Sequence, residues 1–124
     1  MTGRLETHNG HRMWMASDEG PELGASQDAL DLIGDALGHE AEGVVVPVDR
    51  LKLEFWQLRS GLAGEFIQKM INYRLWFAVL GDLAEPIAQS DALRDFVRES
   101  NRGRQVFFQP DLEALIAKLG PAAD

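Results

Sequence analysis

The sequence predicts one α/β domain, in which an N-terminal β-hairpin is followed by alternating helices and strands in a mixed, mostly parallel sheet. Three observations carry this expectation. Asn9-Gly10 sits between two strand-like runs, and both central residues of a type I′ turn need positive φ, which Asn and Gly tolerate best. Two short apolar runs, Gly43–Val48 and Leu75–Leu80, have the continuous apolar character of strands buried on both faces. Between and after them lie segments whose apolar residues recur at helical spacing.

The hairpin is expected to join Arg4–His8 to His11–Ala16, with Ser17–Pro21 as loop. Ser26 is placed to cap a helix running to about Leu37, with Gly38 ending it. Its inward stripe reads Ala29, Leu30, Ile33, Ala36 and Leu37. In the next strand Pro47 lacks a donor N–H, so pairing should end there. Asp49–Arg59 is a polar and aromatic connection with a helical turn around Leu53–Leu58.

A helix from Ser60 to Tyr73 buries Leu62, Ala63, Phe66, Ile67, Met70 and Ile71. Gly81-Asp82 stops the strand that follows it. Ser90 caps a helix that ends at Gly103 and buries Leu93, Phe96 and Val97. Gln105–Phe108 is the last strand. Pro110 suits the first turn of a final helix with Leu112, Leu115, Ile116 and Leu119 inward. The domain spans residues 1–124, with a core of about 4–119. Strand order is not legible from these arguments, although alternation implies parallel pairing for the last three strands.

Composition narrows the function. With 45% apolar and 26% charged residues the chain has ordinary globular proportions, which disfavours disorder along its length. The formal charge of −8 is uneven: residues 1–50 carry ten Asp and Glu against Arg4, Arg12 and Arg50. Phosphate backbones and anionic lipid both require a concentrated positive face, so neither nucleic acid nor membrane is an expected partner. There is no cysteine, which removes disulfides and thiolate chemistry and is compatible with a reducing compartment. No apolar run reaches the roughly 20 residues of a spanning helix, and no apolar signal region opens the chain. The expected location is the cytoplasm.

From Gly61 onward, Gly61-Leu62-Ala63-Gly64-Glu65, Asn72-Tyr73-Arg74, Gly81-Asp82, Leu93-Arg94-Asp95-Phe96 and Glu99–Phe108 form a pattern. That pattern resembles a bacterial family known only as domain-of-unknown-function family 4180. The resemblance extends weakly through the hairpin and Asp28-Ala29-Leu30, and it implies no activity. A more distant resemblance is to the STAS domain of anti-sigma-factor antagonists. It rests on the element order, on Arg59-Ser60-Gly61-Leu62 and on Gln105–Phe108 followed by Asp111–Leu115. This implies a STAS-like fold and a non-catalytic regulatory module that acts through protein contact. It also implies that Ser60 occupies the position of the phosphorylated serine. Arg59 and the 11-residue connection Asp49–Arg59 depart from that pattern.

Ser60 has two readings. As a plain N-cap it satisfies backbone donors at a helix start; as a phosphorylation site it places phosphate where those donors and the helix dipole favour an anion. Gly61 and Gly64 are costly in a helix, by about 1 kcal/mol each relative to Ala, and close backbone packing is the expected cause. Ser60, Gly61, Gly81 and Asp82 should share the carboxyl edge of the sheet, where α/β ligands bind.

The alternative function is a small-molecule-binding domain or minor enzyme using Glu65, Asp82, Arg94 and Glu99 around a polar pocket. Arg94, Arg98 and Arg102 recur every four residues and Arg104 follows; with Asp95 and Glu99 beside them they read as a salt-bridged face or as an anion or acidic-partner site. No catalytic residues, cofactor motif or metal-ligand spacing is present among the three histidines and the serines. Trp76 is expected in the core, and Tyr73 partly buried. Trp14 with Met13 and Met15, and Trp56 with Phe55, are core by preference, or else an exposed patch for a protein partner or a homodimer.

Overall fold

The computed structural model describes residues 3–122. Strands β1 (Gly3–His8) and β2 (His11–Ala16) form the hairpin, followed by α1 (Ser26–Gly38) and β3 (Gly43–Pro47). Three short 3-10 turns (Val48–Arg50, Leu53–Trp56 and Leu58–Ser60) lead to α2 (Leu62–Asn72) and β4 (Trp76–Leu80). Then come α3 (Ala84–Ala88), α4 (Asp91–Arg102), β5 (Val106–Gln109) and α5 (Leu112–Leu119).

The five strands lie in chain order, β1 antiparallel to β2 and each later pair parallel. Asn9 and Gly10 take φ of 54° and 87°, as the turn requires. Crossovers of one hand between sequential parallel strands leave every connecting helix on the same face. Accordingly Trp14, Val44, Val46, Phe77, Val79 and Phe108 meet Ala29, Ile33, Phe66, Met70, Leu93 and Val97 from α1, α2 and α4 in the larger core. The alternate residues Met13, Met15, Val45, Ala78 and Phe107 face the other way, beneath Leu115 of α5. Period-two alternation thus divides one sheet between two cores.

Several local expectations are corrected. Ser26 does not cap α1: the Asp28 carboxylate receives the N–H groups of Gly24 and Ala25, both at 3.0 Å. The Ser26 hydroxyl instead donates to Glu65 Oε1 at 2.7 Å, tying α1 to α2. Gly38 closes the helix from within, and Glu40 takes the left-handed φ of 58°. The buried stripe of α1 is Ala29, Leu32, Ile33 and Ala36, leaving Leu30 and Leu37 exposed at its margins. Tyr73 is exposed, because α2 ends one residue before it and Arg74, at φ 61°, turns the chain away. Pro110 precedes α5 rather than opening it; Asp111 is the cap, accepting the Ala114 N–H at 2.8 Å. The short α3 has too few residues to show a period. Ser90 caps α4 as expected, accepting the Leu93 N–H at 3.1 Å. Trp14 and Trp56, with Met13, Met15 and Phe55, are buried, so the core reading holds and no exposed aromatic patch forms there.

Candidate functional site

Parallel neighbours β3 and β4 deliver their outgoing chains to the same sheet edge. The exit from β3 is the run of 3-10 turns; the exit from β4 is Gly81, Asp82 and α3. Gly81 presses against Val48, where a Cβ would come within 2.8 Å of the valine methyl. Beyond this contact the two connections diverge and enclose a groove of about 890 Å³. Leu53, Trp56, Leu58 and Arg59 form one wall, and Glu85, Pro86, Gln89 and Ser90 the other. Phe55 anchors the first wall, fully buried and edge-on to both Trp56 and Phe66. Leu53 stands out of it, 68% exposed.

Ser60 follows directly on Arg59, exposed on the rim. It closes the last 3-10 turn rather than capping α2 from the N-cap position, which Gly61 occupies at φ 80°. The Ser60 hydroxyl accepts the Leu62 N–H at 3.2 Å and donates to the Glu54 carbonyl at 2.7 Å. One side chain therefore joins the first amide of α2 to the turn that carries Phe55 and Trp56. Gly61 is needed for its left-handed backbone and not for close packing, since a Cβ there would meet nothing within 4 Å. The same open space surrounds Gly64, which nothing in the structure explains.

The remaining residues singled out by sequence are dispersed. Glu65 is bonded to Ser26. Asp82 accepts the Ala84 N–H at 2.8 Å and starts α3. Arg94 meets Asp91 and Asp95, Arg98 meets Asp95, and Arg102 meets Glu99, all on the exposed face of α4. Glu99 and Arg104 border a smaller cleft of about 390 Å³ beside β5. Glu65, Asp82, Arg94 and Glu99 thus line no common pocket. Among the described residues no group of three or more His, Asp or Glu is placed to hold a metal ion.

Two structural devices lay beyond sequence reasoning. Arg50 is 8% exposed and ends the first 3-10 turn with its guanidinium on carbonyls alone: Ser17 at 2.6 Å, Glu19 at 3.2 Å and Pro21 at 2.9 and 3.1 Å. It moulds loop 17–21 at the same carboxyl edge. Asn101, within the pattern Glu99–Phe108, guards the free edge of β5; its Oδ1 accepts the Phe108 N–H at 2.7 Å and its Nδ2 donates to the Phe108 carbonyl at 3.0 Å. The amide imitates a neighbouring strand and blunts an edge that would otherwise recruit one.

Among the described residues two titrating groups are perturbed, and both lie on the N-terminal hairpin, Glu6 on β1 and His11 on β2. Glu6 is held below the usual carboxylate range, chiefly by its hydrogen bond from His8 against the cost of burial, with Arg4 assisting. His11 is raised, as described below.

The sequence model of the family described as Domain of unknown function (DUF4180) matches residues 8–119. The chain belongs to that family. Comparisons with curated proteins and with solved structures give no match. The matched span takes in β2 to β5, only the last residue of β1, and every described helix of this family member. Among its described residues no helix is long and apolar enough to cross a membrane.

Proposed function

We propose that the chain is a non-catalytic, cytoplasmic regulatory module of STAS-like type from a bacterium, which docks a protein partner on the rim around Ser60. The observation that carries this reading is the double hydrogen bond of the Ser60 hydroxyl. Esterifying Oγ removes its only proton, so the bond to the Glu54 carbonyl is lost. A phosphate adds about −1.5 to −2 charge beside the first amides of α2, which suit an anion. Both effects act on the turn bearing Leu53 and Trp56, so the groove wall and its charge change together. Phosphorylation of Ser60 is in this reading the switch that governs docking. The lack of cysteine is compatible with a reducing compartment.

The test is capture from the native host with wild type, Ser60→Ala and Ser60→Asp, alongside intact-mass measurement of the native protein. A partner retained by Ser60→Ala and lost by Ser60→Asp supports the switch. Identical partners for all three proteins remove it.

The groove itself favours a second reading, a small-molecule-binding domain or minor enzyme. Its volume of about 890 Å³ lies within the range of ligand pockets, roughly 300–1,000 Å³, and Arg59, Glu85 and Gln89 offer polar contacts beside apolar walls. Thermal stabilisation by a metabolite that disappears in Arg59→Ala and Gln89→Ala supports it; a screen in which no compound shifts the wild type counts against it.

A further inference from the structure

At the sheet edge opposite the groove, the first residue of β2 carries an imidazole engaged at both nitrogens. His11 Nδ1 lies 2.7 Å from Glu42 Oε2, and Nε2 lies 2.8 Å from the carbonyl oxygen of Gly120. A carbonyl only accepts. The Glu42 oxygen also receives the Trp76 indole N–H at 2.9 Å, the arrangement of an ionised carboxylate. A neutral imidazole has one N–H and serves one of these acceptors; the imidazolium has two and serves both.

We infer that His11 is held as the imidazolium and, so charged, latches the end of α5 and the strap at residues 120–122 onto the sheet in a pH-sensitive manner. Gly120 is the C-cap of α5, where carbonyls lack helical partners and a cation is favoured. Two residues on, the Ala122 N–H donates to the Asn9 carbonyl at 3.1 Å, so the strap crosses to the hairpin turn. Beneath it lies the smaller core, with Met13 and Leu115 fully buried. α5 is the one helix over that face among the described residues. Releasing its end therefore uncovers apolar surface that no other described helix shields.

Deprotonation reverses one contact. The Glu42 charge keeps the remaining proton on Nδ1, and the Nε2 lone pair then faces the Gly120 oxygen at a distance that had been bonding. The charges around the ring come from several elements. β1 presents His8, directly opposite in register, and Glu6, which is hydrogen-bonded to His8 at 2.7 Å. The segment before β3 presents Glu42, and β4 the uncharged Trp76. On α5, Lys118 in the last turn makes no ion pair among the described residues. Burial lowers the His11 pKa, while the Glu42 hydrogen bond, the Gly120 carbonyl and the Glu42 charge together outweigh it, so the net shift is upward. A histidine raised in the folded state contributes stability that is complete below its unfolded value and is lost as pH rises through the folded value. The latch is closed on the acid side and loosens on the alkaline side.

The experiment is an NMR titration of the ¹⁵N-labelled full chain between pH 5 and 9. Both His11 ring nitrogens are expected to be imidazolium-like on the acid side, with a midpoint above the roughly 6.5 of a free histidine. The Ala122 amide should titrate with the same midpoint. Exchange of α5 amides, corrected for intrinsic rates, should quicken several-fold as His11 loses its proton. In His11→Gln that pH dependence should vanish, and in Glu42→Gln the His11 midpoint should fall. A ring found as one neutral tautomer at pH 6, or α5 protection that ignores the His11 midpoint, overturns the latch. If His11→Gln does not fold, the wild-type and Glu42→Gln titrations still decide.

Discussion

Gly43→Ala probes the sheet register and the smaller core at a single atom. Gly43 opens β3 opposite Trp76, and a Cβ built there would lie 2.0–2.4 Å from the indole carbons Cδ2, Cε2 and Cε3. Its backbone does not require glycine, because its φ is not positive; the constraint is space alone. β3 is hydrogen-bonded on both sides, so its backbone cannot yield and the indole must move. That motion strains the core by about 1–3 kcal/mol. It also gives up the Trp76–Glu42 hydrogen bond at 2.9 Å, worth about 1 kcal/mol. The edge-on contact with Phe107 at 5.9 Å is lost as well, about 0.5–1.5 kcal/mol more.

Replacing Gly by Ala restricts the unfolded chain and returns about 0.4–1 kcal/mol. The net expectation is a loss of about 2–4 kcal/mol, or about 6–15 °C in Tm for a chain of this length. Urea and thermal unfolding measure it. A double-mutant cycle isolates the cause, since in a Trp76→Ala background the added methyl should cost under about 0.5 kcal/mol. A variant as stable as wild type, or an equal loss without the indole, would refute the reasoning.

Two further outcomes follow from the devices that shape the edges. Asn101→Ala should lose about 1–2 kcal/mol and self-associate with rising concentration in sedimentation velocity, because both outward groups of Phe108 are bared; Asn101→Asp, keeping the acceptor alone, should fall between. Arg50→Met should lose about 2–3 kcal/mol in urea unfolding, less than the sum of its hydrogen bonds because the freed carbonyls of an exposed loop regain water, and limited proteolysis should then cut first within residues 17–21.

The larger features were legible because they rest on local chemistry. Asn9-Gly10 specified its turn, the β-branched Val44–Val46 its strand, and the stripe Ala63, Phe66, Ile67 and Met70 its helix, each from conformational preference and period. The Ser90 cap was legible for the same reason. Errors collected where a side chain had a choice of partner: Ser26 reached across to Glu65, leaving the cap to Asp28, and nothing in the local pattern distinguishes those outcomes. The exposed placement of Ser60 at the carboxyl edge was legible from alternation of elements. The groove wall of Leu53, Trp56, Glu85 and Gln89 was not, since its two halves lie some thirty residues apart in the chain and meet only because β3 and β4 are adjacent.

By itself the sequence determined an acidic, cysteine-free α/β domain, its turns and its amphipathic faces, because these follow from charge count, backbone preference and period. Tertiary structure alone decided the order of the strands and the burial of Arg50 among carbonyls. It also decided the use of Asn101 as a surrogate strand and the suspension of His11 between two acceptors. Each of these depends on contacts between residues distant in the chain, and the energy of such a contact depends on a geometry that composition and spacing do not encode.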